Sequence, residues 1–195
     1  MIRSAAVVLL ATSLALAALG CPPAKSACGP DGVASQPAPP RLCNPHSVIL
    51  VRHAEKEIGD PNERDPELTP NGRERATRLA TMLGKTAISR LVATEYKRTQ
   101  HTLVPLSERA GKPVEVRPAA QTKDLVRELR DAPPGSTTVI ATHSNVLPMI
   151  VRELGGGPLR GVGAEDMLPE NEYARVLVLS VGCSASPSVV ELSSD

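Results

Sequence analysis

An apolar strand that ends in two basic side chains is the feature that most constrains this sequence. Residues 47–51 read SVILV, and Arg52 and His53 follow directly. A run of this length and β-branched composition predicts a strand buried on both faces, as in parallel sheets covered by helices. Such folds bind their ligands at the carboxyl ends of the strands. We therefore expect Arg52 and His53 to lie at a ligand site on the edge of the sheet.

A second apolar run has the same arrangement further along the chain. Residues 137–142 read TTVIAT and are followed by His143, Ser144 and Asn145, and then by an apolar helical stretch. The carboxyl ends of parallel strands meet at one edge of a sheet. The two strands therefore predict one site that contains two imidazole rings.

Strands and amphipathic helices alternate over the rest of the chain. This alternation predicts an α/β domain of three layers, in which a mostly parallel sheet carries helices on both faces. A third polar cluster, residues 94–100, also follows a predicted strand and includes Arg98. The strands are predicted over 47–51, 88–93, 112–116, 137–141, 174–181 and 188–192, and the helices over 69–84, 94–110, 123–131 and 146–154.

Composition narrows the classes of function. The net charge is +1, and the only aromatic residues are two tyrosines. The chain therefore offers neither a strongly basic surface nor an aromatic platform for stacked bases, and we expect no nucleic-acid partner. The sequence has no Cys-x-x-Cys or His-x-x-x-His spacing, so a zinc site is not expected either.

The first 43 residues have the composition of an export signal and a tether. Residues 1–20 carry a basic residue and then an apolar stretch that is too short for an ordinary membrane span, as in a bacterial secretory signal. Residues 18–21, ALGC, resemble a lipobox in which Cys21 is lipidated after cleavage. Residues 21–43 are rich in Pro, Ala and Ser and predict a flexible tether, which leaves 44–195 as the folded domain.

This reading predicts an exported protein of the bacterial cell envelope, periplasmic or associated with the outer membrane and held to the membrane through Cys21. A cleaved soluble form and an uncleaved anchor are the alternatives. Export favours a disulfide, but Cys28, Cys43 and Cys183 leave one thiol over in any pairing.

The side chains predicted at the sheet edge suit a tetrahedral oxyanion. Arg52 and Arg98 each provide a planar fork that binds phosphate through two N–H groups. The N-termini of the following helices add positive dipole ends. The imidazole of His53 or His143 is a nucleophile that can carry a phosphoryl group covalently. This chemistry requires no metal or other cofactor.

Four motifs in order give the chain a resemblance to a known family. Residues 51–56 (VRHAEK), 68–72 (LTPNG), 94–102 (TEYKRTQHT) and 142–145 (THSN) resemble the motifs of the histidine phosphatase superfamily, which has the phosphoglycerate mutase-like fold. The resemblance extends over about 47–192.

The resemblance implies a role for each matching residue. His53 would be the nucleophile that becomes phosphohistidine, and Arg52 and Arg98 would clamp the phosphate oxygens. His143 would be the second imidazole and would donate to the transferring phosphoryl group. The helix start at Thr69 and Gly72 would be structural.

The general acid departs from the family pattern. Many members carry a glutamate some twenty residues after the second arginine, whereas residues 117–124 here read RPAAQTKD. Asp124 and Glu95 are the two alternatives for this role. General acid catalysis increases the rate by about 10²–10⁴-fold. Without a general acid, substrates whose leaving group needs no proton would be favoured.

Together these features predict a metal-independent phosphatase that acts on a phosphomonoester, with a phosphorylated small molecule or another phosphoester as substrate. A mutase is disfavoured because the short chain has little insertion to enclose an intermediate. The alternatives are a non-catalytic phosphate-binding module of the envelope and a phosphohistidine-protein phosphatase. A nucleophilic His53 and a donating His143 predict a pH–rate profile with two limbs between about pH 5 and 8.

Overall fold

The computed structural model describes residues 44–163, 165–182 and 187–195. The predicted signal, the tether and the lipidation site Cys21 lie outside these ranges. The other three cysteines, Cys28, Cys43 and Cys183, also lie outside them. Within the described ranges, no helix is both long enough and apolar enough to span a bilayer.

Six strands form one sheet at the centre of the domain. They are β1 (His46–Arg52), β2 (Arg90–Thr94), β3 (Val114–Arg117), β4 (Thr137–Thr142), β5 (Arg175–Val181) and β6 (Ser188–Ser193). Their order across the sheet is β3-β2-β4-β1-β5-β6. The first four in this order are parallel. Strand β5 runs antiparallel to β1, and β6 runs antiparallel to β5, so β6 has the same direction as the first four. The mostly parallel sheet predicted from the sequence is confirmed.

Four helices cover the two faces of the sheet. They are α1 (Pro70–Leu83), α2 (Lys97–Ala110), α3 (Thr122–Arg130) and α4 (Val146–Glu153), and a 3₁₀ turn, Ala119–Gln121, precedes α3. Side chains alternate across β1, because Val48 and Leu50 face the core under α3 and α4, whereas Ile49 and Val51 face the core under α1 and α2. This two-sided burial is the physical reason for the continuous apolar run.

The register of the parallel strands brings the three polar clusters to one edge. Arg52 at the end of β1 is paired with Thr142 at the end of β4, immediately before His143. On the other side of β4, Ala93 is paired with Ala141, so β2 ends at the same level. The common edge predicted from the sequence is therefore present.

The start of α1 packs closely against the loop that follows β1. The Thr69 hydroxyl accepts a hydrogen bond from the backbone N–H of Gly72 (3.0 Å) and so caps the helix. A Cβ atom at Gly72 would overlap the backbone carbonyl oxygen of Glu55. Gly72 is thus required by close approach of two backbones, and the LTPNG motif has a structural role.

Candidate active site

His53 lies at the end of β1 with its ring almost completely buried. Its Nδ1 is 2.8 Å from the carbonyl oxygen of Ala54, and a carbonyl oxygen only accepts hydrogen bonds. Nδ1 therefore carries the proton, and Nε2 keeps its lone pair. The backbone N–H of Ala54 donates to the Thr102 hydroxyl of α2 (2.9 Å), which connects the loop after β1 to the helix that carries Arg98.

His143 faces His53 across the sheet edge. The two ring centroids are 5.6 Å apart, and the rings meet edge to face. Nε2 of His143 lies 3.0 Å from the hydroxyl of Thr94, at the end of β2. Strands β1, β2 and β4 thus each contribute a side chain to one cluster.

Arg52 is held by the loop that precedes β5. Its Nη1 lies 2.8 Å from the carbonyl oxygen of Pro169, 3.0 Å from that of Glu170 and 3.3 Å from that of Glu172. Its Nη2 donates to the carboxylate of Glu170 (3.1 Å), a side chain that is 78% exposed. Nε of Arg52 is buried and has no hydrogen-bond partner among the described residues. The loop fixes the guanidinium and leaves one of its N–H groups for another acceptor.

Arg98 lies in the first turn of α2 and is also largely buried. Its Nη1 is 3.7 Å from the carboxylate of Asp65, whose other contact is with the backbone N–H of Lys97 (2.9 Å). Its Nε is buried without a partner in the described part of the chain. Both predicted phosphate clamps therefore have an unused donor beside the two imidazoles.

Two tyrosines that the sequence analysis left unassigned complete the cluster. The guanidinium carbon of Arg52 lies 4.4 Å from the ring centroid of Tyr173, and that of Arg98 lies 4.3 Å from the centroid of Tyr96. Stacking of this kind holds a guanidinium by cation–π attraction and fixes its plane. These are the only aromatic residues of the chain. Because the chain has only two tyrosines, their rarity was the one sequence signal that could have pointed to a role in the site.

The two predicted acids have different positions. The Glu95 carboxylate accepts a hydrogen bond from the backbone N–H of Ala119 (2.7 Å), in the segment where the family carries its glutamate. Asp124 pairs with Arg127 on the exposed face of α3. It lines a groove with Ser89 and other residues near the amino ends of β2 and β4, at the opposite edge of the sheet. The prediction of Asp124 as an acid is therefore not supported, because the helix face that carries it points away.

Burial lowers the pKa values of both imidazoles. It lowers the pKa of His53 to about 3, and the charges of Arg52, Arg98 and His143 act in the same direction. Burial, followed by the charge of Arg98, lowers the pKa of His143 to about 4. Both rings are neutral in the free protein between pH 5 and 8. We therefore no longer expect the free histidines to produce two limbs in that range.

These shifts predict a loss of stability in acid. The unfolded chain takes up protons at both rings below their ordinary pKa of 6.5, whereas the folded chain does not. The free energy of unfolding then falls as pH falls, by roughly 2 kcal/mol for His53 between pH 6.5 and 5. His143 adds less because solvent reaches it. Urea denaturation at pH 7 and pH 5 measures the effect.

The matched comparison uses His53→Gln and His101→Gln. Gln at position 53 removes the titrating group, so the stability of this variant should depend less on pH than that of the wild type. His101 is exposed on α2, and its replacement controls for the loss of one histidine from the surface of the protein. Equal pH dependence in the wild type and His53→Gln would contradict the lowered pKa.

Comparison with known proteins identifies a family whose model matches part of the chain. The model of the histidine phosphatase superfamily (branch 1) matches residues 48–121, which extend from within β1 through α1, β2, α2 and β3 to the 3₁₀ turn. No curated protein matches the chain with significant sequence similarity. The resemblance of this chain to the histidine phosphatase superfamily is confirmed by the family model and by the fold.

Solved structures share the fold at low sequence identity. The protein histidine phosphatase SixA in complex with tungstate is 17% identical, with a TM-score of 0.60 over 76% of this chain and 97% of SixA. A mycobacterial glucosyl-3-phosphoglycerate phosphatase is 19% identical, with a TM-score of 0.58 over 75% of this chain and 97% of its own. Its complex with inorganic phosphate is 20% identical, with a TM-score of 0.57 over 74% and 94% of the two chains. These similarities establish the fold.

Proposed function

We propose that this chain is a phosphatase that hydrolyses a phosphomonoester through a phosphohistidine at His53. The observation that carries the proposal is the position of His53. Its Nε2 keeps a lone pair because Nδ1 donates to the Ala54 carbonyl group (2.8 Å). Arg52 and Arg98 flank it, and their buried Nε–H groups have no partner among the described residues. Lowered basicity keeps the ring neutral, as a nucleophile must be.

The reaction then has two steps. In the first, Nε2 of His53 bonds to phosphorus while the bond from phosphorus to the leaving oxygen breaks, and that oxygen keeps the electron pair. In the second, a water oxygen bonds to phosphorus and gives up a proton to a base, while the N–P bond breaks and its electron pair returns to Nε2. Arg52 and Arg98 balance the charge on the phosphoryl oxygens, which is the main requirement of phosphoryl transfer.

Phosphate binding at Arg52 fits the contacts of that residue. Nε and Nη2 form one edge of a guanidinium, which is the edge that binds two oxygens of a phosphate. Nη2 contacts the exposed carboxylate of Glu170, and Nε has no partner among the described residues. A phosphate at this edge would displace a solvated carboxylate and supply the missing acceptor.

The leaving group distinguishes a second candidate function. Residues 117–121, where the family carries its acid, contain no carboxylate, and Glu95 is the only predicted acid that contacts this segment. A phosphohistidine substrate needs little help from an acid, because its leaving group is an imidazole. This observation favours a phosphohistidine-protein phosphatase as the alternative, which the fold shared with SixA also supports.

Phosphate release from three substrates tests the proposal. We expect turnover of p-nitrophenyl phosphate in the presence of EDTA, and slower turnover of glycerol phosphate, whose alkoxide leaving group needs a proton. Phosphohistidine in a carrier protein is the third substrate, and a rate far above that of p-nitrophenyl phosphate would favour the alternative. Failure to release phosphate from all three, together with phosphate binding, would favour the non-catalytic module.

We also propose that the chain is exported and lipidated at Cys21. The sequence of residues 1–21 supports this, with an apolar segment followed by ALGC. Full-length chain expressed in a bacterial host should incorporate labelled palmitate, and Cys21→Ser should not. Incorporation that persists in the Cys21→Ser chain would refute lipidation at this residue.

A further inference from the structure

A chain of hydroxyl groups connects His143 to a backbone carbonyl group. Nε2 of His143 lies 3.0 Å from Oγ1 of Thr94, and this oxygen lies 2.8 Å from Oγ1 of Thr99. Oγ1 of Thr99 lies 2.7 Å from the carbonyl oxygen of Tyr96 and 3.1 Å from that of Thr94. Both threonines are buried at the junction of β2 and α2.

The direction of these hydrogen bonds follows from the donors that each group has. A hydroxyl group has one proton, and a carbonyl oxygen only accepts. The Thr99 hydroxyl must donate to a carbonyl oxygen. Otherwise a lone pair of Oγ1 would face a lone pair of the Tyr96 carbonyl oxygen at a distance of 2.7 Å. Thr99 then accepts from Thr94. With its proton committed, Thr94 accepts from His143, so Nε2 of His143 carries a proton.

We propose that Thr94 and Thr99 are positioning residues that hold His143 in its Nε2–H tautomer. Because Nε2 is committed to Thr94, only Nδ1 remains for a reacting group. In the neutral ring, Nδ1 carries a lone pair and accepts a proton. His143 donates to a phosphoryl oxygen only after it has gained that proton.

The consequence for catalysis rests on the proposed function. When water attacks phospho-His53, a water proton must leave as the N–P bond breaks and its electron pair returns to His53. Nδ1 of His143 is an acceptor for this proton, and the ring then becomes an imidazolium that stabilises the phosphate product. The His53 and His143 rings are 5.6 Å apart between centroids, which places the two imidazoles side by side. His143 would therefore act first as a base.

The charged groups around His143 do not contradict this tautomer. Arg98 and Arg52 lower its basicity and Glu95 raises it, while the Tyr96 ring packs edge to face against it at 5.2 Å. None of these groups is a hydrogen-bond partner of Nε2 in the described structure, where Thr94 occupies that position. The tautomer is thus set by the relay of hydroxyl groups.

The wild-type protein gives the first test, by nuclear magnetic resonance. Long-range ¹H–¹⁵N correlation spectra distinguish the two neutral tautomers of histidine, and the full chain has four histidines to resolve. At pH 7 we expect the Nε2–H form of His143 to exceed the other by roughly fivefold or more, the preference that one net hydrogen bond provides. His143→Gln assigns the signal. A dominant Nδ1–H form, or an even mixture, would overturn the proposal.

Two variants test the relay itself. Thr99→Val keeps the shape of the side chain but removes the hydroxyl acceptor, which frees the Thr94 proton to point at Nε2. We expect the Nε2–H preference to be lost in Thr99→Val and kept in Thr99→Ser. An unchanged preference in Thr99→Val would refute the relay. If that variant does not fold, Thr94→Ser and the wild-type spectrum decide, because Thr94→Ser should keep the preference.

The spectra and the phosphatase assay can refute the relay and the proposed function separately. A dominant Nε2–H tautomer in a chain that releases no phosphate would support the relay and refute the proposed function. Phosphate release by a chain in which His143 has the Nδ1–H tautomer would support the proposed function and refute the relay.

Discussion

Replacement of His53 by glutamine is expected to reduce turnover of p-nitrophenyl phosphate by at least about 10³-fold, because the proposed covalent intermediate forms on the imidazole of His53. Gln has a similar size and can still donate to the Ala54 carbonyl group, which His53 contacts through Nδ1. The loss should therefore reflect chemistry. Initial rates of phosphate release, with thermal denaturation as a check of folding, measure it.

The matched control for this prediction is His101→Gln. His101 lies on α2, and its ring pairs with Glu67 at the surface. We expect the His101→Gln variant to turn over p-nitrophenyl phosphate at the wild-type rate. Rapid quenching with labelled substrate should trap phosphate on the wild-type chain and not on His53→Gln. A His53→Gln rate within tenfold of the wild type would mean that another group is the nucleophile.

Replacement of Arg98 by lysine is expected to lower kcat/KM by about 10²-fold, the effect of losing one positioned donor at a transition state. Lysine keeps the positive charge but lacks the planar fork, and it cannot stack on Tyr96 as the guanidinium does at 4.3 Å. The phosphoryl oxygens would then lose a fixed donor. Steady-state kinetics with p-nitrophenyl phosphate measure the change.

Lys97→Arg is the control for the arginine prediction. Lys97 is the neighbour of Arg98 in the first turn of α2, and its side chain is half-exposed beside Glu67. Its replacement should leave kcat/KM unchanged. If Arg98→Lys keeps the wild-type kcat/KM, the guanidinium fork is not part of the phosphate site.

The sequence predicted the fold well because each signal was local. The apolar runs and their breaks at Gly and Pro indicated every helix and strand to within a few residues, and parallel pairing followed from their alternation. The same logic brought Arg52, Arg98, His53 and His143 together, because all four follow strands that end at one edge. Periodicity and order along the chain carry this information.

Other parts of the site depend on contacts between distant residues, which no local pattern contains. The loop that holds Arg52 through the carbonyl groups of residues 169–172 is more than a hundred positions away in sequence. Asp124 was predicted from its distance along the chain after Arg98, but it lies on the exposed face of α3, where it pairs with Arg127. The partners of Thr94 likewise depend on how α2 meets β2.

The two tyrosines are placed so that their intrinsic spectroscopic signals depend on the state of the site. The chain has no Trp or Phe, and Tyr96 and Tyr173 each stack on one of the two arginines. Intrinsic tyrosine fluorescence and the tyrosine bands of the near-ultraviolet circular dichroism spectrum therefore come from rings that flank the proposed phosphate site. Both signals should respond when an anion reorients either guanidinium, so occupancy of the site can be titrated without a label.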